Sequence, residues 1–333
     1  MEREKEKRAG WTGRRLSGSW AVLCLALMLA ISGCAQRPAS TNGNKVVDAE
    51  FTRGQIMVVA ATERNRYQNI YTGDLWPVKA DSDGTTFEEK LMDQIGQFLI
   101  ELATTNLMAD EEGVELTGQE KDDLKNLTKE YYHKLSEQDR DYLGVSEDEV
   151  YDLYCRYFRA DKLVAELTKA ENLEVSDAEA KVIQIQQIRL DSRQEAETVL
   201  TQVQTENADF SSVAARASKD SQIQHTLEWS KDMDVLGKAA FDLEQDHTSG
   251  ILEQDGSFYI LKCINAYDVD ATVARKKRLG QEKKTRAFLD IYEPFVKEHT
   301  VKLKEDLGQM VDFTKGEECR TDNFFQMYHG YFN

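Results

Sequence analysis

Val182-Ile183-Gln184-Ile185-Gln186-Gln187-Ile188-Arg189-Leu190 is the stretch from which the fold can be read. It is rich in β-branched residues and has no three-to-four-residue apolar spacing, so it reads as a strand. Further along, Phe258-Tyr259-Ile260-Leu261-Lys262-Cys263-Ile264 reads as a second, buried strand. Between them, Ala196, Val199, Leu200 and Val203 mark a helix over Glu195 to Thr205, and Phe210, Val213 and Ala214 mark a shorter one over Phe210 to Ala217. The resulting order of strand, helix, helix, loop, helix, strand is an α+β segment. It begins where the character of the chain changes, at Val175-Ser176.

Both flanks of this segment are helical in pattern. Phe87, Leu91, Ile95, Phe98, Leu99 and Leu102 recur at three and four residues behind a Thr cap with Glu88 and Glu89 in the first turn, which predicts a helix to about Asp110. A more polar helix follows Thr117-Gly118-Gln119-Glu120, running through Tyr132. Ser146-Glu147-Asp148-Glu149 is a capping-box sequence opening a third, with Val150, Leu153, Tyr157, Leu163 and Leu167 on one face. Gln55 to Tyr71 is read as another helix. After Tyr267, the charged run Arg275 to Arg286 and the apolar positions Phe288, Leu289, Tyr292, Phe295 and Val296 predict a long return helix, with Pro294 as a kink.

The N-terminus carries an address. A basic region (Arg3, Lys5, Lys7, Arg8, Arg14, Arg15) leads into an apolar run from Trp20 to Ala30 and ends on Ile31-Ser32-Gly33-Cys34, the shape of a secretory signal. That run is about half of the ~20 residues a membrane-spanning helix needs. The polar stretch Ala35 to Asn44 lacks any hydrophobic period and reads as a tether. Removing residues 1–33 takes six of the 42 Lys and Arg and three of the 60 Asp and Glu, leaving 36 and 57 and a net charge of −21. Such a balance argues against nucleic acid as a partner, because phosphate contacts need clustered Lys and Arg. Cys155, Cys263 and Cys319 are scattered and odd in number, giving neither a disulfide framework nor metal-ligand spacing; Cys155 and Cys263 read as small core residues. No phosphate-cradling glycine loop or nucleophile elbow is present, so ATP and covalent catalysis have no support.

Several fragments then fall in one order: Gln187 to Leu190, Glu195-Ala196, Phe210-Ser211-Ser212-Val213-Ala214, Ala217-Ser218-Lys219-Asp220, Leu227-Glu228-Trp229, Ala239-Ala240-Phe241-Asp242-Leu243, Ser249-Gly250-Ile251 and Asp255 to Lys262. Together they resemble the parvulin family of peptidyl-prolyl isomerases over about Ser176 to Tyr267. Ile31 to Cys34 resembles the bacterial lipobox, whose cysteine is lipidated. With helical flanks the order is similar to PrsA-type foldase lipoproteins and SurA-type chaperones, in which N- and C-terminal helices form a chaperone module around an inserted parvulin domain. The resemblance implies a signal peptide over 1–33, a tether over 34–45, a helical module over 46–175, a parvulin-like α+β domain over 176–267 and a returning helix over 268–333.

What the resemblance implies for the site is carried residue by residue. Parvulins turn a prolyl amide without covalent chemistry: an apolar pocket takes the ring while polar groups weaken a partial double bond whose barrier is about 18–20 kcal/mol. The family's first-strand histidine position is Gln187 here, its last-strand histidine position is Tyr259, and its acidic or thiol group is kept as Asp220. Leu227, Met233, Leu236 and Phe241 fall on pocket positions. The family's glycine turn is replaced by Gln224-His225-Thr226-Leu227-Glu228, so that loop is expected to be rebuilt, with His225 as a solvated loop residue. Tyr131, Tyr132, Tyr154, Tyr157 and Phe158 are read as core. The reading is a membrane-tethered, extracytoplasmic foldase held by lipid on Cys34. Its partners are unfolded secreted proteins, with neither metal, cofactor nor ATP. A pure holdase and a ligand-binding or scaffolding envelope lipoprotein are the alternatives.

Overall fold

In the computed structural model the described residues run from Lys45 to Phe332; the signal, Cys34 and most of the tether lie outside them. In chain order the elements begin with β1 (Lys45–Ala49), α1 (Arg53–Tyr71), α2 (Phe87–Glu111), α3 (Gly118–Lys134), α4 (Glu137–Leu143), α5 (Glu147–Thr168) and α6 (Asp177–Ala180). There follow β2 (Val182–Leu190), α7 (Arg193–Val203), α8 (Phe210–Ala217), β3 (Gln224–Glu228), α9 (Val235–Asp242), β4 (Leu252–Gln254) and β5 (Ser257–Asn265). The chain closes with α10 (Val269–Glu298), β6 (His299–Leu303), α11 (Leu307–Met310) and α12 (Phe324–Phe332). The protein is α+β, and the chain divides into two compact units, one ending at Ala170 and resuming at Ala287, the other Glu171–Arg286.

The first unit is helical because its helices are both capped and amphipathic. Thr52–Gln55, Thr86–Glu89, Thr117–Glu120, Ser136–Asp139 and Ser146–Glu149 all form reciprocal capping boxes, satisfying N–H groups that a helix start leaves orphaned. Their apolar faces meet in one core that includes Ile56, Leu99, Leu124, Leu153 and, from the C-terminal segment, Val311, Phe313 and Phe324. Tyr154 stacks on Phe324 at 4.1 Å between ring centroids, and its hydroxyl donates to the Phe324 carbonyl at 3.1 Å. Tyr131, Tyr154 and Tyr157 are buried as expected of core aromatics, and Tyr132 and Phe158 pack against the same core half-buried. β1 and β6 add a two-stranded parallel pair, Lys45 opposite His299 through Ala49 opposite Leu303.

A buried guanidinium fastens the last segment to this core. Arg64 is 1 % exposed. Its N–H groups donate to the carbonyls of Lys315 (2.7 Å) and Gly316 (2.9 Å), to the Tyr142 hydroxyl (3.0 Å) and to Asn65 Oδ1 (3.0 and 2.9 Å). Nearby, the Asp139 carboxylate accepts from the backbone N–H groups of Arg320 (2.7 Å) and Thr321 (3.1 Å). Burial alone would raise this carboxyl, but the donors of Arg320 and Ser136 outweigh it and hold the group below its usual range.

The second unit is a four-stranded sheet of order β3-β2-β5-β4, antiparallel throughout. Val182–Leu190 is the strand that its composition suggested, and it is one of the two inner strands of the sheet. The sheet's two faces follow from the period of two. Ile188, Leu190 and Ile260 pack beneath α7 and α8 on Ala196, Val199, Phe210, Val213 and Ala214. Ile183, Ile185 and Leu261 pack on the other face with Ala240 of α9. The first part of α10 belongs to this unit: Arg275 donates to the carbonyls of Glu179 (2.9 Å) and Trp229 (2.6 Å), and Lys283 reaches the Glu174 carbonyl at 2.8 Å.

The replaced glycine turn is not a loop. Gln224–Glu228 is β3, hydrogen-bonded to Val182–Gln186, and none of its residues has a positive φ. Extended backbone is open to every side chain, so Gln, His and Glu are accommodated here without strain. His225 is accordingly a half-buried strand residue opposite Ile185, with Nε2 3.1 Å from the Gln222 carbonyl. α10 continues through Pro294, whose missing N–H leaves the carbonyl one turn back without its helical partner.

Candidate active site

Strand alternation assembles the site. Ile183, Ile185, Gln187 and Arg189 lie on one face of β2, and the register places Tyr259 directly opposite Arg189 and Leu261 directly opposite Gln187. Directly opposed residues of an antiparallel pair share a face, so Gln187, Arg189 and Tyr259 project together, with Gln187 and Tyr259 on a diagonal of about 7–8 Å between Cα atoms. Alongside runs the segment that leaves α8. Lys219 N–H donates to the Arg189 carbonyl at 2.8 Å, while Ser218 Oγ accepts from the N–H groups of Arg189 and Asp220, each at 3.2 Å. The two hydrogen bonds accepted by this one hydroxyl hold the Asp220 backbone beside Arg189 of the strand.

Asp220 there meets two partners. Gln187 Nε2 donates to Oδ2 at 3.5 Å, the outer limit of a hydrogen bond, and Arg189 Nε donates to Oδ1 at 3.1 Å. Arg189 Nη1 also donates to Ser257 Oγ at 3.1 Å. The polar set is therefore Gln187, Asp220, Arg189 and Ser257, with Tyr259 beside it. Arg189 and Ser257 escaped the sequence reading as site residues. The signal was present: a cation two residues from Gln187 on a strand must point to the same face, between neighbours Ile188 and Leu190 that point to the core.

The four residues expected at the pocket separate into two groups. Leu227 and Phe241 join the apolar cluster with Ile183, Ile185, Leu252 and Leu261, and the Phe241 ring carries Lys181 Nζ at 5.6 Å from its centroid. Met233 packs instead against Gly237, where an added Cβ would come 3.2 Å from the Met233 Cβ, and Leu236 is half-buried outside that cluster. Asp234 caps α9 by accepting from Gly237 N–H at 2.7 Å, which fixes where the helix bearing Leu236 and Phe241 starts. Among the described residues no three His, Cys, Asp or Glu side chains converge as a metal set, and Cys263 is buried in β5. Cys155 is half-buried and packs on the helical core.

Residues 180–265 match the family model of the rotamases, the PPIC-type PPIase domain. The sheet unit is a parvulin-type domain. Solved structures similar to the chain include the foldase protein PrsA of Streptococcus pneumoniae, at 20% identity over 70% of this chain and 96% of that one, TM-score 0.28. PrsA of Bacillus subtilis gives 20% over 70% and 96%, TM-score 0.25. The peptidylprolyl isomerase PrsA of Bacillus cereus gives 16% over 75% and 99%, TM-score 0.32. No curated protein matches. Within the parvulin-type domain, Gln187 and Tyr259 stand where the resemblance puts histidines, and the retained carboxylate of Asp220 is engaged by a guanidinium. Among the described residues no helix is long and apolar enough to cross a membrane.

Proposed function

We propose that this chain is a membrane-tethered, extracytoplasmic foldase that holds unfolded segments of secreted proteins, and that its parvulin-type domain binds prolyl segments while isomerising them slowly. The lipobox-like Cys34 supports the anchor, and the helical first unit supports a chaperone module. Leu227, Met233, Leu236 and Phe241 are the proposed ring-binding positions, and Asp220, Gln187 and Tyr259 the proposed polar groups beneath the amide.

One observation carries the slow-isomerase reading: Arg189 occupies Asp220 at 3.1 Å and Ser257 at 3.1 Å. In the twisted transition state the nitrogen lone pair is no longer shared with the carbonyl, so only groups that contact that state better than the planar amide speed the turn. A carboxylate already paired, beside an amide side chain and a phenol in place of two imidazoles, has little left to change between those states. The same pairing favours the pure holdase as second reading. The test is a protease-coupled prolyl-peptide assay on the full chain in detergent micelles. We expect a rate within about tenfold of the spontaneous one, a barrier change of about 1.4 kcal/mol or less. Robust turnover that falls on Tyr259→Phe or Gln187→Ala overturns the reading, because those residues would then replace the histidines.

A further inference from the structure

We infer that a groove of about 660 Å³ in the first unit, between the N-terminal half of α2 and the turn α11, takes cationic-apolar segments of unfolded polypeptide. This rests on the client-binding reading above and names the class of segment. The floor is apolar, made by Met92, Leu307 and Val311. At Gly96 a Cβ would stand 3.1 Å from a Leu307 methyl, so the absence of a side chain lets Leu307 lie close against the helix and form part of the apolar lining. The walls carry Glu88, Glu89, Asp93 and Asp306, and no lysine, arginine or histidine lines the groove. Glu89 and Asp306 accept hydrogen bonds at helix starts, Glu89 from Thr86 N–H and Asp306 from Gly308 N–H, whereas Glu88 and Asp93 cap no helix. Four carboxylates around an apolar floor favour an occupant with Lys or Arg beside Leu, Val or Phe, and disfavour an acidic one.

Position also counts. Lys45, where the tether enters, has Nζ 3.7 Å from Glu111 at the last residue of α2, whereas Glu88 is at the first turn. At 1.5 Å per residue about 35 Å separates them. Arg37, the tether's cation, stands eight residues before Lys45 and reaches at most about 29 Å even fully extended. Glu88, at the far end of the groove, thus lies beyond the backbone reach of Arg37, whereas Asp93, about 27 Å from Glu111 along α2, lies within it. Outside the groove's lining, Val78, whose carbonyl accepts from Phe87 N–H at the start of α2, is exposed, as are Tyr67, Ile70 and Tyr71 on the last turns of α1.

The experiment uses the full chain in detergent micelles and three fluorescent unstructured peptides: one alternating Lys with Leu, one with Glu for Lys, and one with Gly for Leu. Fluorescence anisotropy should give Lys-Leu binding at least tenfold tighter than either other peptide, weakening as NaCl rises from 50 to 500 mM. Glu88→Lys with Asp93→Lys should weaken it about tenfold or more while the melting temperature and sedimentation coefficient stay those of the wild type. If wild type binds the Lys-Leu peptide and the double variant binds it equally, the groove assignment falls and the client-binding reading stands. If neither the full chain nor the chain lacking residues 1–33 binds any of the peptides, the client-binding reading itself falls. Two results show another occupant and overturn the inference: tight peptide binding that appears only after residues 1–33 are removed, which assigns the groove to the leader, or self-association abolished by the double variant, which assigns it to a second copy.

Discussion

Replacing Arg64 with Ala should loosen the C-terminal segment that borders the groove, with little effect on the parvulin-type domain. The guanidinium is 1 % exposed, and the acceptors that face it are the carbonyls of Lys315 and Gly316, the Tyr142 hydroxyl and Asn65 Oδ1. A hydrogen bond to a charged group contributes about 1.5–3 kcal/mol, so four acceptors would sum to roughly 6–12 kcal/mol if burying the cation cost nothing. Burying it costs several kcal/mol, and the net loss on truncation is about 3–5 kcal/mol, in line with breaking other buried charge sites. Arg64→Lys keeps the charge without the planar fork and should lose about half as much. The assay is urea unfolding followed by tryptophan fluorescence. Trp76 lies in the helical core, 4.9 Å from the Phe313 ring, and Trp229 lies in the sheet unit, so in the chain without residues 1–33, which carry Trp11 and Trp20, Trp229→Phe isolates the first signal and Trp76→Phe the second. The Trp76 midpoint should fall while the Trp229 midpoint holds. A loss under about 1 kcal/mol, or equal shifts of both reporters, would refute the assignment of Arg64 as the fastener of this segment.

Asp139 predicts a pH dependence whose sign follows from its lowered pKa. A carboxyl depressed on folding contributes stability above its unfolded value of about 3.9, and that contribution is lost as pH falls through the folded value. The Trp76-reported stability should therefore drop below about pH 4, and Asp139→Asn should remove that part of the drop; parallel pH curves for the two proteins would contradict it. Cys34→Ser should shift the protein from the membrane fraction to precursor or medium, checked by detergent phase partitioning, and unchanged partitioning with cleavage elsewhere would sink the lipid anchor.

Much of this architecture was legible because local chemistry dictated it. The helices after Thr86, Thr117 and Ser146 announced themselves by capping pairs and apolar spacing, and Val182–Leu190 by its β-branched run. β1 and β6 were not legible: each is five residues long, and the partner of Lys45 is His299, far along the chain, with no local signal for the pairing. β3 was hidden by expecting a rebuilt glycine turn, although Gln224–Glu228 alternates exposed and half-buried residues as an edge strand does. At the site, Gln187 and Asp220 were named together only through the family resemblance, and Gln187 Nε2 lies 3.5 Å from Asp220 Oδ2, whereas Arg189 required the strand's period of two to be applied to a charged residue.

The most direct measurement of the whole account is light scattering of an unfolded secreted protein diluted into refolding buffer with the full chain in detergent micelles. Wild type and Asp220→Ala should suppress aggregation equally at stoichiometric amounts, because holding segments needs apolar and charged surface and not the amide-loosening carboxylate. Scattering unchanged by the wild-type chain, or suppression lost in Asp220→Ala with its fold intact, would contradict a chaperone in which isomerisation is secondary.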